Sequence, residues 1–171
     1  MEDKFNILIK KILENEGGYV NNKNDSGGET NYGITKETAK NFGYFLSMKE
    51  IPIEVVYRIY RTLYYDKIQG DKINSFKITY NIFDMSVNAG TNRSIKILQE
   101  MLNEKYKYTL KIDGIIGKAT LSILNLLSSK NEEQINKDYT DYRKKFYFSI
   151  SKKNNNIIFL NGWINRVNKF Y

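Results

Sequence analysis

Glu16 stands directly before Gly17-Gly18 at the end of an apolar-periodic stretch, and Asp25 follows nine residues later inside a glycine-rich loop. A carboxylate just past a helix C-terminus feels the negative end of the helix dipole, and apolar packing around it adds a desolvation penalty. Both effects favour the protonated acid. Asp25, among solvent and backbone N–H groups, is expected to stay ionised. A protonated carboxylic acid facing an ionised carboxylate is the minimum equipment for breaking a glycosidic bond. Thr30, five residues further on, supplies a hydroxyl able to hold a water molecule. The spacing alone is also met by an exposed last-turn glutamate and a turn-forming aspartate.

Tyr19 and Tyr32 flank the same loop. A tyrosine pairs a flat apolar ring with a polar tip, which suits either the face of a sugar or a plug in the core beneath the loop. Asp84 and Asn88 are four residues apart and therefore share one helix face. There they can hydrogen-bond an N-acetyl group, orient Glu16, or belong to a structural network.

These residues need elements to hold them. Phe5, Leu8, Ile9, Ile12 and Leu13 recur at helical spacing, so residues 3–15 read as an amphipathic helix that Gly17-Gly18 ends. Residues 17–34 are rich in Gly, Asn and Asp and read as an irregular loop or small β-hairpin. A helix over 35–43 follows, with Thr35 as its N-cap. Ile51-Pro52 opens another, running to about residue 66. Residues 74–90 are apolar on several sides and read as a buried central helix, followed by a helix over 92–105. After a two-glycine turn at 110–118, further helices are expected at 118–128, 131–152 and 157–169. The class is mainly α. Asn88–Asn92 is a weak boundary candidate, dividing the chain into residues 1–92 and 93–171, expected to pack together as one compact unit.

Composition removes several chemistries. The 171 residues contain neither Cys nor His, which excludes disulfides, thiolate nucleophiles, Ser-His-Asp and Cys-His triads and His-ligated zinc. Acid–base work near neutral pH then falls to carboxylates, Lys or Tyr. The balance of 27 basic against 19 acidic residues leaves a net charge of +8, a field that attracts polyanionic partners. No run of five basic residues forms a dedicated nucleic-acid patch, so a diffuse negative matrix fits better than nucleic acid. The N-terminal stretch MEDKFNILIKK places acidic residues where a signal peptide needs basic ones. No apolar run reaches the roughly 18 residues of a membrane span.

The run Glu16-Gly17-Gly18-Tyr19, then Asp25-Ser26-Gly27-Gly28-Glu29-Thr30-Asn31-Tyr32-Gly33-Ile34-Thr35, closely resembles the signature of glycoside hydrolase family 108. The likeness continues through Tyr60 and Tyr64-Tyr65, and through Phe83-Asp84 with Val87-Asn88-Ala89-Gly90. Further on, Leu98-Gln99, Asp113-Gly114, Gly117, Thr120-Leu121 and Gly162-Trp163 with Arg166-Val167 are similar to the peptidoglycan-binding region that commonly follows in that family. Two positions depart from it. Ser26 stands where members often carry Pro, and Tyr65 where many carry Trp, which would weaken a sugar-stacking platform.

The resemblance implies a lysozyme-like, two-lobed helical fold and an N-acetylmuramidase of the phage or prophage endolysin type. It makes Glu16 the general acid on the β-1,4 bond between N-acetylmuramic acid and N-acetylglucosamine. By analogy with phage-type lysozymes, Asp25 and Thr30 would position the attacking water. Tyr64 joins Tyr19, Tyr32, Asp84 and Asn88 as candidate substrate contacts. No metal or organic cofactor is implied. Two other readings stay open: a peptidoglycan-binding module without turnover, and a lytic transglycosylase acting on the same bond. The expected life history is synthesis in the host cytoplasm as a monomer, release by a holin, and action on the glycan strands of the wall.

Overall fold

Phe5, Leu8, Ile9 and Ile12 bury one face of α1 (Lys4–Leu13), as their spacing demands. The computed structural model describes residues 3–21, 28–153 and 157–171. Asp25 and Ser26 lie outside the described residues. The chain divides into two units, Met1–Asp66 and Lys67–Tyr171. The division falls before the central helix, which therefore belongs with the second unit.

In the first unit α1 ends at Leu13, short of the glycine pair. The N–H groups of Asn15 and Glu16 bond back to the Ile12 and Leu13 carbonyls at 3.0 and 3.1 Å, a tightened last turn. Neither Gly17 nor Gly18 has a positive φ. They do not form the left-handed cap expected of them.

A three-stranded antiparallel sheet follows: β1 (Val20–Asn21), β2 (Glu29–Asn31) and β3 (Ile34–Thr35). Val20 pairs with Thr30, and Thr30 in turn with Thr35. Tyr32 (φ 49°) and Gly33 (φ 68°) make the two-residue turn between β2 and β3. Both adopt the left-handed backbone that a tight hairpin of this length requires.

Thr35 caps α2 (Lys36–Asn41), its hydroxyl accepting from the Thr38 N–H at 3.1 Å. Asn31 is buried and donates to the Met48 carbonyl at 2.8 Å, tying the sheet to the loop ahead of α3 (Ile53–Tyr60). One π turn, Arg61–Tyr65, continues α3, closed by the Asp66 N–H on the Arg61 carbonyl at 2.8 Å. Tyr65 is fully buried against Phe5, ring centroids 5.0 Å apart. It therefore offers no sugar-stacking surface.

The second unit is built around α4 (Phe76–Ala89), buried at every position from Ile78 to Met85 except Tyr80. Ser75 caps it, accepting from the Ile78 N–H at 3.0 Å. Around it lie α5 (Thr91–Tyr106), α6 (Lys118–Lys153) and α7 (Ile157–Asn168). α6 is broken at Asn131, whose extended backbone (φ −158°, ψ 84°) and side-chain bond to the Gln134 N–H at 3.0 Å start the second segment. Gln99 holds the turn between α5 and α6. It donates to Asp113 and to the Ile115 carbonyl and accepts from the Gly114 N–H, each at 3.0 Å. Among the described residues no helix is long and apolar enough to cross a membrane.

Arg143 and Asp84 are completely buried and form an ion pair at 2.6 Å, while Arg166 reaches the other Asp84 oxygen at 2.8 Å. Both carboxylate oxygens of Asp84 are thereby engaged inside the fold. The assignment of Asp84 to substrate contact is corrected on this ground: it is a core anchor. Trp163 is half-buried and stacks on Tyr147 at 5.3 Å, in keeping with a packing role.

One buried tyrosine and two that are partly covered and bonded to carboxylates make this unit sensitive to alkali. Burial pushes the Tyr139 and Tyr106 phenols far up, the latter helped by its bond to Asp138. Burial and a bond to Glu104 push Tyr142 up to about 12. The folded chain thus holds these protons more tightly than the unfolded one, whose phenols ionise near ~10. Their contribution to stability is complete below pH ~10 and is lost as pH rises through the folded values. An absorbance titration should show a group of tyrosines ionising late and together with unfolding; all 14 tyrosines titrating near pH ~10 in a still-folded chain would contradict this.

Candidate active site

Glu16 follows the tightened last turn of α1, and its carboxylate lies against the β2–β3 turn. A Cβ added to Gly33 would sit 3.0 Å from Glu16 Oε2 and 3.3 Å from Tyr60 Oη. Only glycine leaves room there, and only glycine adopts φ 68° without cost. Tyr60, on the last turn of α3, donates to the Tyr32 carbonyl at 2.7 Å and pins the turn from the other side. Tyr64, on the π turn, packs against Tyr60 with ring centroids 5.5 Å apart. Burial, and then the charge of Glu16, hold the Tyr64 phenol above its ordinary value, so Tyr64 stays a neutral hydrogen-bond donor beside the acid. Glu16 itself is half-buried. One carboxylate is thus placed on a floor of glycine backbone and two phenols, still reached by solvent.

The other candidates sort as follows. Thr30 is half-buried in the central strand, on the sheet face opposite Glu29 and Asn31. Tyr32 belongs to the turn itself, through its left-handed backbone and the carbonyl that receives Tyr60. Tyr19 is exposed and donates to Glu29 Oε1 at 3.1 Å. Lys36 bonds the other Glu29 oxygen at 2.7 Å, and this bond chiefly holds the Glu29 carboxyl below its usual range. Asn88, in the second unit, is exposed and accepts from the Tyr147 hydroxyl. Spacing revealed neither the Gly33 contact, the Tyr60 strut nor the Glu29–Lys36 pair. The Tyr-Gly dipeptide between two short strand-like runs was the available signal for the first.

Gly28 supplies a control for Gly33. Its φ is also left-handed, +63°, but an added Cβ would meet nothing within 4 Å among the described residues. Gly28→Ala and Gly33→Ala should each cost about 1–2 kcal/mol through backbone strain. Only Gly33→Ala should also lower activity, at least tenfold, because it displaces the Glu16 carboxylate by several tenths of an ångström. Thermal unfolding with turnover assays checks this, and equal activity in the two variants would contradict it.

A mainly α, lysozyme-like fold with a carboxylic acid set against a glycine turn after the first helix is the frame of a glycoside hydrolase. Residues 9–90 match glycosyl hydrolase 108, and residues 93–168 match the predicted peptidoglycan domain. The structure of Brucella abortus SagA is similar, with 26% sequence identity and a TM-score of 0.76, covering 97% of this chain and 90% of that one. No curated protein matches the sequence. The chain belongs to glycosyl hydrolase family 108 and carries a predicted peptidoglycan domain behind the region that matches that family. It is a peptidoglycan hydrolase.

Proposed function

We propose that the chain is an N-acetylmuramidase that cleaves the β-1,4 bond between N-acetylmuramic acid and N-acetylglucosamine, with Glu16 as general acid. The observation that carries this reading is the Glu16 carboxylate held against Gly33 beside Tyr60 and Tyr64. Glu16 gives its proton to the bridging oxygen as the bond breaks, and positive charge grows on the muramic acid anomeric carbon. Asp25 stabilises that charge or, with Thr30, activates the water that completes hydrolysis. Proton donation by a positioned acid supplies about two to four powers of ten in rate. Tyr19, Tyr32, Tyr64 and Asn88 are proposed sugar contacts. The biological setting is phage-type lysis: a monomer made in the cytoplasm, released through a holin, and acting on the wall.

Digestion of purified sacculi, followed by borohydride reduction and sugar analysis, tests the bond. A muramidase yields muramitol. Glucosaminitol as the main reduced sugar would move the cut to the other linkage of the strand.

A further inference from the structure

The second unit carries a groove that the catalytic reading leaves unused. Arg93, Ile97, Glu100 and Glu104 recur on one stripe of α5, facing Tyr142, Lys145 and Phe146 on one stripe of α6, around a cavity of about 290 Å³. From Arg93 to Glu104 the stripe runs about 16 Å at helical rise. Arg93 lies over the Phe146 ring at 5.3 Å, and Lys145 over the Tyr142 ring at 4.2 Å. Stacking holds each cation in place without neutralising it. Among the described residues Arg93, Lys145 and Glu100 have no ion-pair or hydrogen-bond partner. Glu104 accepts from Tyr142 at 2.6 Å. The groove therefore offers an open, stacked guanidinium at one end and, towards the other, the carboxylates of Glu100 and Glu104 with the Lys145 ammonium stacked on Tyr142. A flat, fixed guanidinium is suited to bidentate capture of a carboxylate.

A neutral N-acetylhexosamine can hydrogen-bond here but carries no charge to match Arg93 and Glu100, and a simple polyanion would be repelled by Glu100 and Glu104. The matching ligand carries both signs along a short extended backbone. The peptide stems of peptidoglycan do so, with the free carboxylate of D-glutamate and the amine of the diamino acid that follows. Three to four extended residues span about 10–14 Å, within the length of the stripe. The groove also lies wholly within the region matching the predicted peptidoglycan domain. We propose that the α5–α6 groove binds the zwitterionic peptide stem, carboxylate towards Arg93 and amine towards Glu100, so that the second unit reads the peptides while the first cuts the glycan. This rests on the peptidoglycan hydrolase reading and adds its peptide specificity.

The probe is the free tripeptide L-alanyl-γ-D-glutamyl-meso-diaminopimelate, titrated against the full chain by calorimetry; it holds no glycosidic bond, so binding is read apart from turnover. Arg93→Gln and Glu100→Gln should each weaken binding about tenfold, the loss of one charge-assisted contact, with unchanged thermal unfolding. General attraction of a basic protein for anions predicts the opposite for Glu100→Gln, namely tighter binding, and that result would overturn the proposal. So would wild type failing to bind the tripeptide at millimolar concentration while still releasing reducing ends from sacculi. Tripeptide binding through the groove in a protein that releases no reducing ends would leave the groove standing and remove the catalytic reading instead.

Discussion

Glu16→Gln should abolish clearing of purified peptidoglycan, lowering turnover by about two to four powers of ten, while the variant still sediments with the wall. The swap is nearly isosteric. It keeps the contact with Gly33, at 3.0 Å from the position a Cβ would take, and keeps a polar group beside Tyr64. It removes only the transferable proton. Because Glu16 is half-buried and follows α1 rather than standing within it, the melting temperature should move by no more than a few degrees. The Tyr64 phenol adds a spectroscopic check. Part of its upward shift comes from the Glu16 charge, second to burial, so it should ionise at lower pH in the variant. Equal clearing by wild type and variant would place the proton donor elsewhere.

Asp84→Ala should act in the opposite manner, damaging the fold and leaving the cleavage chemistry of whatever folds intact. Arg143 is fully buried, with Asp84 at 2.6 Å and Asn81 Oδ1 at 2.5 Å, and its guanidinium lies 4.8 Å from the centre of the Phe170 ring. Deleting the carboxylate strands that cation in the core, which costs about 3–5 kcal/mol. The same exchange loosens Arg166 and with it α7. Replacing the Asp84–Arg143 pair with apolar residues of similar volume should recover much of the loss, since removing both charges removes the desolvation cost as well. Denaturant unfolding separates the cases. A variant as stable as wild type that binds glycan more weakly would restore Asp84 to the substrate contacts and contradict the core assignment.

Asp84 also shows where reading from the sequence stops. Its spacing to Asn88 correctly placed the two on one helix face, but spacing does not say whether that face meets solvent or another helix. Asn88 is exposed and Asp84 has no exposure at all. The answer depended on Arg143, 59 residues away. Periodicity was a good guide to the helices themselves. Phe5, Leu8, Ile9 and Ile12 line the buried face of α1, Thr35 caps α2, and α6 breaks at Asn131 where two helices had been expected to part. Local backbone detail was hidden. The early end of α1 and the π turn at Arg61–Tyr65 are choices between hydrogen-bond patterns that leave no trace in composition. Glu16, the proposed general acid, stood out in the sequence through its motif, whereas Gly33 and Tyr60 meet it across 17 and 44 positions of chain and declare themselves only in three dimensions.

The most direct test of the account is wild-type digestion of peptidoglycan in ¹⁸O-labelled water, with mass analysis of the fragments. Hydrolysis through Glu16 predicts one ¹⁸O at the anomeric position of every newly formed muramic acid reducing end. Unlabelled 1,6-anhydro ends would mean that the sugar's own hydroxyl replaces water and that the enzyme is a transglycosylase.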